Sequence, residues 1–177
     1  LKIYLLRIPI RKALILKFLK TKNSEILSSI KSLKMLITCN MINKDLKNYN
    51  LYLYLLRIAD TSLIMSQRLS EYCGVAPILE EDLSISNISL DYLGQARFLY
   101  RFISEEVPNE CTEDDFAFFR DDDEFYNLTI SELPNFDFAR TIVKVFFLSA
   151  LQIILWNNLK KSNNTSLSGI AKKSVKE

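Results

Sequence analysis

The stretch from Ala76 to Ile103, APILEEDLSISNISLDYLGQARFLYRFI, most constrains the fold because it predicts one unbroken long helix. Pro77 precedes an acidic cluster at residues 80–82, and the N-terminus of a helix favours both proline and negative charge. With 49% apolar residues but only 3 Gly and 4 Pro, the chain has little material for turn-rich β architecture. Apolar residues recur at helical spacing along the stretch: Leu79, Leu83, Ile88, Leu90, Leu93, Phe98, Leu99 and Phe102. The sequence therefore predicts an all-α bundle of long helices.

A line of small and polar residues follows the same predicted helix. Ser84, Asn87, Asp91 and Gly94 stand at i, i+3, i+7 and i+10, which places them on one face. Long bundle helices with polar groups along an inner face are the scaffold of carboxylate-bridged metal sites. The sequence therefore raises the question of a metal site on this helix.

A first bundle helix is predicted at residues 51–73, where apolar and polar residues alternate at a helical period. Gly74 is available to end it in a left-handed conformation. Its polar residues Asp60, Gln67 and Arg68 could face inward, but a solvated stripe is the favoured interpretation of each.

Residues 111–134 are both acidic and aromatic. Thr112 is predicted to cap a short helix with an acidic first turn. The acidic run 121–124 lacks the ligand spacing and the glycine of a calcium loop, so it is interpreted as a solvated turn. Three aromatic residues are expected to anchor this segment on the bundle: Phe116, Phe119 and Phe125.

A third long helix is predicted at residues 135–159, and it is apolar on nearly every face. Such a helix lies at the centre of a bundle or is covered by a partner subunit. Its expected inward residues are Ser149, Ala150 and Gln152, and no carboxylate follows Asp137 in the helix. After a loop and N-cap near residues 163–166, a further helix begins and the chain is expected to stop inside its architecture, as an incomplete bundle.

The first 48 residues carry 11 basic and 2 acidic residues, whereas the remainder carries 12 basic and 19 acidic ones. Residues 1–40 could be a basic amphipathic segment for an anionic membrane or for targeting. The favoured interpretation is an extension outside the domain, with residues 41–177 forming the helical bundle. Three widely spaced cysteines without a C-x-x-C predict a reducing, cytoplasmic compartment. No uncharged apolar run approaches about 18 residues, so no membrane span is predicted.

The chain contains no histidine. A di-iron bundle site uses Glu-x-x-His on two helices, and the corresponding spacing here is Asp91 and Gly94. Asp91 could coordinate only weakly and Gly94 offers no ligand, so these positions are interpreted as degenerate and no metal, cofactor or catalytic residue is predicted. Histidine-dependent nucleophilic sites are excluded, no glycine-rich phosphate loop is present, and nucleic-acid binding has little support beyond charge.

The segment 57–97 contains the motifs QRLSEYCG at 67–74, APILEED at 76–82 and N-x-x-L-D-x-L-G-Q-A-R at 87–97. In these motifs it resembles the non-catalytic structural component of bacterial phenylacetyl-CoA epoxidases. A second block at 114–156 is similar to the same component in order and spacing. The resemblance implies a ferritin-like fold and pairing with a homologous di-iron catalytic subunit, while this component has lost its metal ligands. It also implies a possible contact with the CoA-thioester substrate at the interface of the two.

Three residues depart from the family pattern. Tyr72 stands where relatives usually have Trp, and Val75 stands where they usually have His. Arg140 stands where they often have His. Family members usually begin near the first bundle helix and extend beyond the equivalent of residue 177.

The two matching blocks and the missing metal ligands lead to the first hypothesis, a non-catalytic structural subunit. The alternatives are a di-iron oxygenase whose remaining ligands lie in a missing C-terminal part, and a truncated remnant without function.

Overall fold

The computed structural model describes residues 48–106 and 111–177, so the proposed extension 1–40 lies outside the described residues. Neither described stretch contains a β-strand. In chain order the helices are α1 Tyr49–Ser70, α2 Leu79–Glu106, α3 Glu113–Phe118, α4 Thr129–Glu132, α5 Phe138–Leu159 and α6 Thr165–Ser174, with a 3-10 turn at Asp122–Glu124. The predicted all-α architecture is confirmed.

Helices α1 and α2 form an antiparallel hairpin. Helix α1 ends at Ser70, three residues earlier than predicted, and Gly74 supplies the left-handed backbone of the connection with a φ of 81°. The Gly74 N–H donates to Asp82 Oδ1 over 2.7 Å, which joins the connection to the acidic first turn of α2. That turn begins at Leu79, two residues after Pro77.

Helix α5 packs on this hairpin and runs antiparallel to α1. The side-chain amide of Asn135 donates to the carbonyl of Arg68 near one end, and Gln152 pairs with Ser62 further along. The core between the three long helices is formed by Met65, Leu69, Tyr72, Ile85, Tyr92, Val145 and Leu148. Each such large side chain contributes about 1.5–3 kcal/mol when it is fully buried.

The segment 111–134 lies against α1 and α2 much as the sequence predicts. Thr112 and Asp115 form a capping box at the start of α3. Phe116 is fully buried and stacks on Tyr100 with ring centroids 6.1 Å apart. The expectation for Phe119 is wrong, because its ring is exposed on the surface. The acidic turn at 121–123 is exposed, in agreement with its interpretation as a solvated turn.

Within the described residues helix α5 is buried on one face only, so the first predicted alternative, a central position, is not seen there, and cover by a partner subunit stays a prediction. The buried residues are Thr141, Lys144, Val145, Leu148, Gln152, Trp156 and Leu159. Large apolar side chains on the opposite face are exposed to solvent: Ile142, Val143, Phe146, Phe147, Leu151, Ile153 and Ile154. By length and hydropathy alone α5 could cross a membrane, with a mean hydropathy of 1.8, and a core helix of a water-soluble protein passes the same test.

Candidate functional site

The polar line predicted on α2 does share a face, but that face is not the inner one. Ser84 and Asn87 are exposed, and Asp91 and Gly94 are only half-buried between exposed leucines. A Cβ added to Gly94 would meet no atom within 4 Å, which means open space. The expectation that Asp91 and Gly94 lie on the inner edge of the helix is therefore wrong for the described residues.

The inner face of α2 is displaced from that line by one residue. Ser89, Tyr92 and Gln95 are buried at i, i+3 and i+6. Tyr92 and Gln95 thus have the i, i+3 spacing that places two side chains together on one side of a helix. The inward pair on α2 is a phenol and an amide, not a carboxylate and an imidazole.

Hydrogen bonds join this inner face to α1 and α5. The Ser89 hydroxyl donates to the Ser66 carbonyl over 2.8 Å, and its oxygen lies 2.8 Å from the Ser70 hydroxyl. The hydroxyl oxygens of Tyr92 and Ser149 are 3.0 Å apart. These contacts connect α2 to both neighbouring helices through neutral side chains.

Helices α1 and α5 are also joined directly. The Gln152 amide donates to the Ser62 hydroxyl over 2.9 Å, and both residues are buried. Ser149 and Gln152 therefore face inward as predicted, whereas Ala150 is exposed and its predicted inward position is wrong. We refer to the buried and half-buried groups between the three helices as the polar layer: Ser62, Ser66, Ser89, Tyr92, Gln95, Ser149 and Gln152.

The polar layer does not fit a di-iron centre. Carboxylate-bridged iron requires several carboxylates and imidazoles directed to one point, and the layer offers hydroxyl and amide groups that are neutral at physiological pH. Within residues 48–106 and 111–177, no group of three Asp, Glu or Cys side chains is positioned to hold a metal ion. Most of the groups in the polar layer instead pair with one another, which is the usual condition for polar groups in a protein interior, whereas the buried side-chain oxygen of Gln95 has no hydrogen-bond partner among the described residues.

Among the described residues, one carboxylate is completely buried, and it belongs to a separate group. Asp60 has no exposed surface, and both of its oxygens accept from the Arg120 guanidinium, with Oδ2 3.0 Å from Nη1. Asp60 Oδ1 also accepts from the Tyr100 hydroxyl over 2.6 Å, and Oδ2 accepts from the Tyr126 N–H over 2.9 Å. We call these four residues the Asp60 cluster. The interpretation of Asp60 as part of a solvated stripe is wrong.

Arg120 connects the Asp60 cluster to the acidic segment. Its Nε donates to the Phe116 carbonyl over 2.7 Å, and its Nη1 donates to the Glu124 carbonyl over 3.1 Å. Its guanidinium also lies 4.2 Å from the centroid of the Phe125 ring, a distance typical of a cation–π contact. One side chain thus holds the end of α3 and the 3-10 turn against α1.

Burial shifts the ionisation of Tyr100 and of Lys144. Burial, followed by the nearby Asp60 carboxylate, raises the pKa of Tyr100 well above that of a free phenol. Burial lowers the pKa of Lys144, whose Nζ donates to the Leu133 carbonyl over 3.0 Å and to Asn135 Oδ1 over 2.8 Å. Both groups are engaged in contacts within the fold.

The described residues therefore form an all-helical bundle of the ferritin-like class, in which neutral polar groups occupy the interior between three long helices. The chain belongs to the phenylacetic acid catabolic protein family, whose model matches residues 36–177. It is 44% identical over 124 residues to the C component of the 1,2-phenylacetyl-CoA epoxidase of Escherichia coli K12. That alignment covers 70% of this chain and 50% of the relative, so the chain spans about half the length of the curated relative that it matches. The predicted family and fold are confirmed.

Proposed function

We propose that this chain is a structural, non-catalytic subunit of a multicomponent phenylacetyl-CoA 1,2-epoxidase. It packs its helical bundle against the homologous di-iron catalytic subunit, stabilises that subunit and contributes to the cleft for the CoA-thioester substrate. The similarity to a component of such an epoxidase supports the assignment to phenylacetate catabolism. The chain then needs no cofactor of its own, and its place is in the cytoplasm, without contact to nucleic acid or membrane.

The chemistry of the polar layer carries this proposal. Tyr92 and Gln95 occupy the inward i, i+3 positions of α2, and Ser62 and Gln152 face the same interior from α1 and α5. None of these side chains is charged at neutral pH, so they stabilise the bundle without supplying ligands to a redox metal. Asp91 and Gly94, which the sequence predicts to be degenerate ligand positions, lie outside this layer.

The one fully buried carboxylate among the described residues, Asp60, is committed to protein groups. It accepts hydrogen bonds from Arg120, Tyr100 and the Tyr126 backbone. An ion pair of this kind would have to be broken before the carboxylate could serve a metal or a proton transfer, and breaking a buried pair costs about 3–5 kcal/mol. Asp60 is accordingly assigned a structural role.

Co-purification with the catalytic subunit tests the proposal. We expect the purified chain to carry iron far below one equivalent, to form a stable complex with the catalytic subunit, and to raise the melting temperature of that subunit. The iron content is measured by mass spectrometry and the complex by size-exclusion chromatography with light scattering. Stoichiometric iron bound by this chain alone, or a well-folded chain that never associates with the catalytic subunit, would contradict the proposal.

A further inference from the structure

Helices α1, α2 and α5 each contribute one buried hydroxyl or amide side chain to a common level of the bundle. Ser62 on α1 has no exposed surface, Gln95 on α2 is 7% exposed and Gln152 on α5 is 6% exposed. The Gln152 amide donates to the Ser62 hydroxyl over 2.9 Å, so these two side chains are in contact. We call the three residues the Gln95 group.

Two contacts between the antiparallel helices α1 and α2 place Gln95 at the level of the serine. The hydroxyl oxygens of Ser66 and Ser89 are 3.3 Å apart, and the Tyr100 hydroxyl donates to Asp60 over 2.6 Å. The serine of the Gln95 group lies between the two α1 members of these pairs, and its α2 glutamine lies between the two α2 members. Because every residue of a helix advances by about the same 1.5 Å, the two side chains stand at a similar height.

The contact between α2 and α5 gives the same level. The hydroxyl oxygens of Tyr92 and Ser149 are 3.0 Å apart. Both helices run antiparallel to α1 and are therefore parallel to each other. Gln95 and Gln152 follow these two residues by three positions, an advance of about 4.5 Å on either helix. The two amides therefore also share a level, and the three helices bring the Gln95 group together.

Hydrogen-bonding capacity in the Gln95 group is only partly used. Among the described residues, the side-chain oxygen of Gln95 accepts no hydrogen bond, although less than 1 Å² of it is accessible. The Ser62 hydroxyl accepts from Gln152, and no acceptor for its own proton is found in the same part of the chain. An unpaired buried acceptor is costly, so buried polar groups are nearly always paired with protein or with ordered water.

We infer that the Gln95 group binds one internal water molecule between the three helices, and this inference does not depend on the proposed function. A water molecule has two protons and two lone pairs, so it can donate to Gln95 Oε1 and accept from the Ser62 hydroxyl at the same time. Water also fits the charge of the site, because all three side chains are neutral and a metal cation would require carboxylate, thiolate or imidazole ligands.

The oxygen of Gln95 is enclosed and does not belong to an outer face of the bundle. Its accessible surface is below 1 Å². Protein that packs on the outside of the helices does not reach this oxygen unless the Gln95 group itself opens. A small molecule held inside the bundle is the partner that meets this condition.

Magnetic relaxation dispersion of solvent water counts long-lived internal water molecules and tests the inference on the full chain. We expect Gln95→Met to lower the count by one, because methionine has a similar length but lacks the amide oxygen. The matched control is Gln67→Met, at a half-buried glutamine of α1 outside the Gln95 group. The control variant should keep the count of the wild type.

A crystal structure of the wild-type chain is the second measurement, and it protects the test if Gln95→Met does not fold. We expect a water oxygen within about 3 Å of both Gln95 Oε1 and Ser62 Oγ. Folding of the variants is checked by far-ultraviolet circular dichroism.

Two results would overturn the inference. One is an unchanged water count in a folded Gln95→Met variant. The other is a crystal structure in which the Ser62 hydroxyl donates directly to the Gln95 oxygen with no water between them. Both results concern the interior of this chain alone, so the association with the catalytic subunit is tested separately.

Discussion

Replacing Asp60 by alanine should be among the most destabilising single changes in the described part of the chain. Asp60 is fully buried and is the common acceptor for Arg120, the Tyr100 hydroxyl and the Tyr126 N–H. Asp60→Ala removes the carboxylate that pairs with the Arg120 guanidinium, which is itself only 5% exposed. Removal of one partner of a buried ion pair costs about 3–5 kcal/mol. In a chain of this size that loss lowers the melting temperature by about 6–20 °C.

Urea unfolding followed by circular dichroism measures this loss, with an unchanged m-value as evidence that the unfolding transition is the same. The exposed ion pair between Arg101 and Glu105, whose side chains are 66% and 62% exposed, provides the control. Arg101→Ala should cost no more than about 0.5 kcal/mol, because solvent screens an exposed pair.

A double variant tests the physical reason. Asp60→Leu combined with Arg120→Met removes both charges, so the combined loss should be smaller than the sum of the single losses by at least about 2 kcal/mol. Additive losses, or a loss below about 1 kcal/mol for Asp60→Ala, would refute the argument that the buried charge pair holds the acidic segment on α1.

Three further outcomes are expected. Ser62→Ala should cost about 1–3 kcal/mol in urea unfolding, because the buried Gln152 amide loses its acceptor; a neutral Ser62→Ala would show that water replaces the hydroxyl. Because burial raises the pKa of Tyr100 in the folded state, its contribution to stability is present below the unfolded pKa of about 10 and is lost as the pH rises above it. Tyr100→Phe should therefore flatten the decline of the unfolding free energy between about pH 10 and 11, and an unchanged decline would contradict the assignment. Thr112→Ala should cost about 1 kcal/mol through loss of the capping box with Asp115, whereas Thr112→Ser should restore most of the stability.

The sequence predicts the helices well, because helical periodicity and capping residues are local signals. The Thr112 cap, the long α2 and the inward position of Gln152 all follow from residues within one or two turns of each other. The inner face of α2 is mispredicted. Successive residues are about 100° apart around a helix, so two neighbouring rows of residues differ little in their sequence pattern. Which row faces inward depends on the helices packed against α2. The signal that identifies the inner line is Ile85, which shares the face of Ser89 and Tyr92.

Long-range partners explain the remaining errors. Asp60 lies on a helix with several other polar residues, and its ion-pair partner Arg120 is 60 residues away in sequence. Nothing near Asp60 in the chain predicts that a guanidinium will reach it. The half-buried state of α5 depends in the same way on how many other helices surround it, which the apolar composition of the helix does not specify.

The polar layer has a consequence for the register of the bundle. Apolar contacts alone allow one helix to slide along another, because the hydrophobic effect is non-directional and each apolar contact is replaced by a similar one. The pairs Ser66–Ser89, Tyr92–Ser149 and Ser62–Gln152 are directional and lie on the three boundaries between α1, α2 and α5. A slide by one helical turn, about 5.4 Å, would separate the donors from the acceptors of each pair and leave these polar groups without partners between the helices. The axial register of these three helices is thus set by a few hydroxyl and amide groups.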